Sequence, residues 1–238
     1  MMSQGKEMLK AVIFDFNGVI INDEQIHQEL INEILLRENL RPEPSEYQEL
    51  CLGRSDRACL SDILSRRGRV ASDNYLDDLI QAKTLAYRQR IESLETLPIY
   101  PEVKDFLSHL QEHNFRIGLV TGALLSEVQF ILEKAEILNS FEVIVGGDEI
   151  KKSKPEPDGY LLAVERFNQL DNSLQLTPED CLVIEDTPAG IEAAKRAKMQ
   201  VVGIANTYPY HFMQRLSNWA IDYFSELELE RVEKVLTS

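Results

Sequence analysis

The chain is poor in cysteine and in positive charge, and it has no long apolar run. Cys51, Cys59 and Cys181 are the only cysteines in 238 residues. Odd in number and without a disulfide or zinc spacing, they read as reduced thiols in a cytosol-like compartment. No segment approaches the roughly 20 apolar residues of a membrane span. The opening MMSQGKEMLKAVIFDF carries Asp15 inside a short apolar stretch and lacks a cleavable signal pattern. The expectation is a soluble, cytoplasmic protein with no membrane partner. Lys and Arg number 25 against 40 Asp and Glu, a net charge of -15, so the summed field repels polyanions and argues against nucleic acid as a partner. A small phosphorylated metabolite stays allowed, because backbone N–H groups and one or two basic side chains suffice to hold it. There is no internal repeat or low-complexity tract, and a monomer or weak homo-oligomer is expected.

Short apolar or β-branched runs lie at Leu9–Phe14, Arg116–Val120, Phe141–Val145, Cys181–Glu185 and Gln200–Ile204, with helical patterns between them. Such alternation predicts right-handed βαβ units and a doubly wound parallel sheet, an α/β Rossmann-like core. A last strand around Ala220–Phe224 and a helix over Glu226–Leu236 would close its edge. Residues 24–95 break the rhythm. They carry apolar positions at helical spacing (Ile26, Leu30, Ile34; Leu60, Ile63, Leu64; Leu76, Ile80) and no buried-strand run. The expected organisation is a core of residues 1–23 and 96–238 with an inserted helical cap domain at 24–95, the chain returning through the stiff Leu97-Pro98-Ile99-Tyr100-Pro101.

Four segments place polar residues where a predicted strand ends or the next helix opens: Asp15, Thr121, Lys154 and the pair Glu185-Asp186. In an open α/β sheet those ends converge on one crevice. Taken singly, each reads as a turn, a helix cap or a loop lysine. Together they supply what phosphoryl transfer needs: a carboxylate nucleophile in Asp15, oxygen ligands for a hard cation, and a cation beside the phosphoryl group.

The runs Asp15-Phe16-Asn17-Gly18-Val19-Ile20, Val120-Thr121-Gly122, Lys152-Ser153-Lys154-Pro155-Glu156-Pro157-Asp158 and Ile184-Glu185-Asp186-Thr187-Pro188-Ala189-Gly190-Ile191 together resemble the haloacid dehalogenase superfamily, in its β-phosphoglucomutase-like phosphatase branch. The resemblance spans nearly the whole chain. It implies a Mg²⁺-dependent phosphatase that forms an aspartyl-phosphate on Asp15. Asp15, Asp186, Glu185 and the main-chain carbonyl of Asn17 would hold the metal, while Thr121, Gly122 and Lys154 would bind the phosphoryl group.

One position departs from that pattern. The second residue after the nucleophile is normally an Asp acting as general acid and base, and here it is Asn17, which cannot cycle a proton. General acid–base help is typically worth ~10² to 10⁴ in rate. The substitution is consistent with a phosphatase using another carrier, with Asp23 or a cap residue as candidates, or acting on esters whose leaving groups need little protonation. It is equally consistent with an impaired enzyme that mainly binds phosphorylated ligands, or with a laboratory substitution. On this reading Asn17→Asp raises turnover. A sugar phosphomutase is disfavoured because it must move protons to and from sugar hydroxyls. Dehalogenation is disfavoured because it has no need of the acidic metal pair.

In the cap, Gly53, Arg54 and Ser55 resemble a specificity loop, with Arg54 or Arg57 as planar donors to a second polar group of the substrate. Ser55 as a helix cap and solvated arginines are the bland alternative. Glu24 and His27 open the cap near the expected entrance. His109 and His113 stand four apart but have no third ligand, so they read as a surface pair. Gly146-Gly147-Asp148-Glu149 lacks a nucleotide-loop spacing and reads as the connection toward Lys154.

Overall fold

The computed structural model describes residues 9–236. Its sheet contains β1 (Ala11–Phe14), β2 (Arg116–Val120), β3 (Val143–Val145), β4 (Cys181–Glu185), β5 (Gln200–Ile204) and β6 (Trp219–Ile221) in the order β3-β2-β1-β4-β5-β6. Every neighbouring pair is parallel. The expected doubly wound sheet is therefore present, and its order reverses between β1 and β4.

Both faces of the sheet are covered, which is why the strands read as continuous apolar runs. Period-two alternation sends Val12 and Phe14 to one face and Ala11 and Ile13 to the other. The first face packs under α5 (Val103–Glu112), α6 (Leu125–Lys134) and α10 (Leu229–Leu236), where Phe14 meets Phe106, Phe141 and Phe224. The opposite face packs under α7 (Asp158–Leu170), α8 (Pro188–Arg196) and α9 (Tyr210–Leu216). The last strand is shorter than expected. Phe224 opens a 3₁₀ turn and the terminal helix starts at Leu229.

Between β1 and α5 the chain forms α1 (Glu24–Arg37), α2 (Pro44–Leu50), α3 (Asp56–Arg66) and α4 (Asp73–Glu92), an inserted helical cap with its own apolar cluster around Ile31, Tyr47, Leu60 and Leu76. Outgoing and returning chains pair where they cross. Ile21 bridges Ile99 antiparallel, Asn22 N–H donates to the Pro98 carbonyl at 2.8 Å, and Tyr100 N–H donates to the Ile20 carbonyl at 3.1 Å.

The cysteine expectation is overturned. Cys51 at the end of α2 and Cys59 in α3 form a disulfide, with Cα atoms 4.4 Å apart across a sequence separation of 8. The tight α2–α3 turn, with Gly53 at φ +74°, doubles the chain back in a way that residue spacing alone does not reveal. Cys181 is the free thiol, buried in β4. The argument for a reducing compartment from cysteine usage falls with this bond.

Candidate active site

The strands that flank the reversal point deliver the acidic residues. Asp15 follows β1, Glu185 ends β4 and Asp186 follows it, so all three face the crevice that such sheets leave at that point. Lys154 enters from the loop before α7. Its ammonium lies 2.6 Å from Asp15 Oδ1, 2.6 Å from Glu185 Oε1 and 3.3 Å from the Val120 carbonyl. All four side chains are buried. Thr121, at the end of β2, is buried beside them, its hydroxyl accepting a hydrogen bond from Ala123 N–H at 3.0 Å.

Local sequence explains how Glu185 is held. Thr187 caps α8, Pro188 takes the first helical position, and Gly190 sits where a Cβ would come within 1.8 Å of Glu185 Oε1. The Thr187 hydroxyl donates to Glu185 Oε2 at 3.1 Å, and Tyr160 on α7 donates to Oε1 at 2.7 Å. Asp186 accepts from the hydroxyl of Thr207, just beyond β5. Tyr160 and Thr207 lie outside the runs read from the sequence, whereas Thr187 lies within the Ile184–Ile191 run as a helix-opening residue. Thr207 follows the end of a predicted strand, so the rule that found Asp15 also reaches it.

The electrostatics leave the site short of positive charge. Carboxylate oxygens of Asp15, Glu185 and Asp186 lie within 4.8 Å of one another. Burial raises the Asp15 carboxyl to about 7, with Glu185 adding and Lys154 opposing. Burial, then Asp15 and Glu185, push Asp186 well above its ordinary range. Asp186 Oδ1 is buried without a hydrogen-bond partner, and a Cβ on Gly18 would fall 1.9 Å from Asp186 Oδ2. Three crowded carboxylates have one ammonium among them, which touches only Asp15 and Glu185, and leave an Asp186 oxygen unpaired, which is the donor set of a hard divalent cation. The residues present fit Mg²⁺.

Asn17 faces the cap. Its Nδ2 donates to Asp23 at 3.0 and 3.1 Å and lies 3.1 Å from His27 Nε2. Asp23 also accepts from Tyr87, and His27 Nδ1 lies 2.8 Å from Lys83 Nζ, which reaches Asp56 at 2.7 Å. Burial acts to raise Asp23 but is outweighed by His27 and the hydrogen bonds of His27, Asn17 and Tyr87, so its carboxyl ends below the usual range.

Gly53, Arg54 and Ser55 reach the core loops. A Cβ on Gly53 would meet Thr187, and one on Gly122 would meet the Arg54 carbonyl at 2.6 Å. Ser55 N–H donates to Ser153 Oγ at 2.7 Å, while the Ser55 hydroxyl caps α3. The Arg54 guanidinium is turned to Asp62 at 2.7 Å and to the Leu50 carbonyl at 2.9 Å. Arg57 does not reach the site, because it pairs with Asp73 and Asp77 at the outer rim of the cap. The rings of His109 and His113 meet at a tilt at the end of α5, and the one cluster of three potential metal ligands among the described residues is the Asp15 group. Asp148 caps α6 by accepting from Leu125 N–H at 2.9 Å, and Glu149 pairs with Arg166. Beneath the cap, Glu127 of α6 is buried with neither carboxylate oxygen partnered.

The cavity over Asp15 is roofed by Glu24, His27, Tyr47, Asp56 and Lys83 and holds about 40 Å³. That is room for a few waters, which need about 10–15 Å³ each.

A family model described as haloacid dehalogenase-like hydrolase matches residues 12–204. The chain belongs to this family. Among relatives of this haloacid dehalogenase-like hydrolase, the β-phosphoglucomutase of Bacillus subtilis is 31% identical over 205 residues, covering 84% of this chain and 85% of that one. A phosphorylated carbohydrates phosphatase of Thermotoga maritima is 26% identical over 201 residues, covering 84% and 87%. The crystal structure of a β-phosphoglucomutase from Clostridium difficile superposes with a TM-score of 0.82 at 23% identity, over 96% of this chain and 97% of that one. Family and phosphatase relatives together make the chain a phosphoric monoester hydrolase. No helix among the described residues is long and apolar enough to cross a membrane.

Proposed function

We propose that the protein is a magnesium-dependent phosphatase of small phosphate monoesters and that Asp15 is its nucleophile. The observation that carries this reading is the buried group in which Lys154 bridges Asp15 and Glu185 while Asp186 Oδ1 has no partner. An Asp15 oxygen attacks phosphorus, the bond to the leaving alcohol breaks, and water later cleaves the aspartyl-phosphate. Lys154 and the Thr121 hydroxyl donate to phosphoryl oxygens as charge builds on them. Asp15, Asp186, the Asn17 carbonyl and Glu185, directly or through water, would hold Mg²⁺, which when bound offsets the repulsion between a carboxylate and an anionic ester. Asn17 cannot carry the leaving group's proton. Asp23 lies behind it, whereas His27 touches Asn17 and lines the cavity, so His27 is the carrier this reading uses. Closure over so small a cavity means the cap must open to admit substrate, and that motion can govern turnover.

A second reading rests on the engagement of Asn17 with Asp23 and His27, which leaves no carboxylate at that position: an impaired member that binds phosphorylated ligands. A mutase reading, raised by the B. subtilis relative, asks Asn17 to shuttle protons. A magnesium-dependent screen over sugar phosphates, nucleotides and small phosphate esters, with Asp15→Asn as control, separates these. Turnover lost in the control supports the phosphatase. Binding without turnover supports the ligand-binding reading, and transfer within a sugar phosphate supports the mutase.

A further inference from the structure

The roof of the cavity is polar, yet it offers no free cation. Lys83 is buried and committed, with its ammonium 2.7 Å from Asp56 Oδ2 and 2.8 Å from His27 Nδ1. Arg54 spends its two terminal nitrogens on Asp62 and the Leu50 carbonyl, leaving only a buried Nε without a partner. On the floor, Lys154 is divided between Asp15 and Glu185. Against these stand two roof carboxylates, Asp56 and Glu24, and the latter's partner is a neutral hydroxyl, Tyr47. The adjoining cleft between cap and core continues the imbalance. Asp56, Asp62, Asp77 and Asp148 line it together with Arg57 and Lys151, and Arg57 is already paired.

Within the enclosed cavity over Asp15, a second phosphate or a carboxylate on the substrate would therefore have to break an existing ion pair or lie beside Glu24 and Asp56. Like charges brought together in a desolvated site reject the wrong ligand, whereas hydroxyls can donate to both carboxylates. We infer that the cap selects monophosphates whose alcohol portion carries hydroxyls and no second anionic group, with Glu24 and Asp56 as the residues that set this choice. The inference rests on the phosphatase reading for its reaction but not for its binding preference.

Calorimetry with glucose 6-phosphate and glucose 1,6-bisphosphate, in the presence of magnesium and using Asp15→Asn to prevent turnover, reads that preference directly. The monophosphate should bind about 100-fold more tightly, as expected when a second anion must sit beside Glu24 and against the Asp56–Lys83 ion pair. Glu24→Gln or Asp56→Asn, made in the same background, should narrow the ratio about tenfold by strengthening binding of the bisphosphate. Both changes conserve size, so a purely steric block would not be relieved. Affinities for the two sugars within about threefold, or a ratio unmoved in both variants, would overturn the inference. Hydrolysis of acetyl phosphate by the unmodified protein reports separately on the phosphatase reading. If that hydrolysis fails, the reaction is wrong and the affinity ratio still decides the selectivity.

Discussion

Replacing Lys154 by Met keeps the reach of the side chain and removes the ammonium that touches two of the three clustered carboxylates. Both contacts are 2.6 Å long and buried. Removing one partner of a buried pair typically costs about 3–5 kcal/mol, because the other charge is left uncompensated. Linkage fixes the pH at which that cost appears. The Asp15 carboxyl already stands at about 7 in the fold against an ordinary value of 3.8. Its ionised form is thus disfavoured, and the stability of the metal-free protein falls as pH rises through that interval. Lys154 opposes the shift, so without it the folded value rises further and the decline continues above pH 7. The deficit of Lys154→Met should accordingly be about 3–5 kcal/mol at pH 8 and smaller at pH 5 by about 1.4 kcal/mol, the linkage of the single pH unit above the Asp15 value. Urea unfolding followed by circular dichroism, with chelator present, measures it. Equal deficits at the two pH values, or a loss below about 1 kcal/mol at pH 8, would refute the reasoning that one ammonium compensates this cluster.

The pairing of Asn17 with Asp23 changes what a restored acid should do. Asn17→Asp alone sets two buried carboxylates against each other, so it should lose stability and gain little activity, whereas Asn17→Asp with Asp23→Asn should raise kcat on a sugar phosphate by ~10² or more. Steady-state kinetics on both variants checks the difference. Burial pushes the Glu127 carboxyl up, with Lys83 opposing. The nearby Thr84 hydroxyl is committed to the Ile80 carbonyl. Ionisation of Glu127 therefore costs stability increasingly above its unfolded value, and Glu127→Gln should stabilise the protein by about 1–3 kcal/mol at pH 7.5 and by less at pH 4.5. Denaturant midpoints at the two pH values test that. Cys51→Ser with Cys59→Ser opens a loop of sequence separation 8. It should cost roughly 2–3 kcal/mol by loop-closure entropy, read as a lower unfolding midpoint under oxidising conditions.

The core was legible because its signals are local. Strands buried on both faces are written as unbroken apolar runs, and the convergence of their carboxyl ends follows from sheet topology alone. That logic was enough to bring Asp15, Thr121, Lys154, Glu185 and Asp186 together. It stopped one strand early at Thr207, and it had no purchase on Tyr160, whose hydroxyl points inward from the first turn of α7. The cap was legible as helices but not as contacts. Which arginine faces inward depends on the phase of α3 relative to its neighbours. The chain of Asn17, Asp23, His27 and Lys83 joins α1 to α4 across 56 residues of sequence, and no periodicity announces it. The disulfide was missed for the same reason, since a turn of unknown shape lay between its ends.

The two linkers that cross at Ile21 and Ile99 form a narrow ribbon whose outgoing edge starts just after Asp15, with Gly18 N–H bound to the Ile21 carbonyl at 2.8 Å. The cap and the buried acidic cluster are thereby spliced through a single short piece of backbone. Anyone building a chimera with a foreign cap should take both linkers from the same parent, because a ribbon assembled from mismatched halves would shift Asp15 before any substrate arrived.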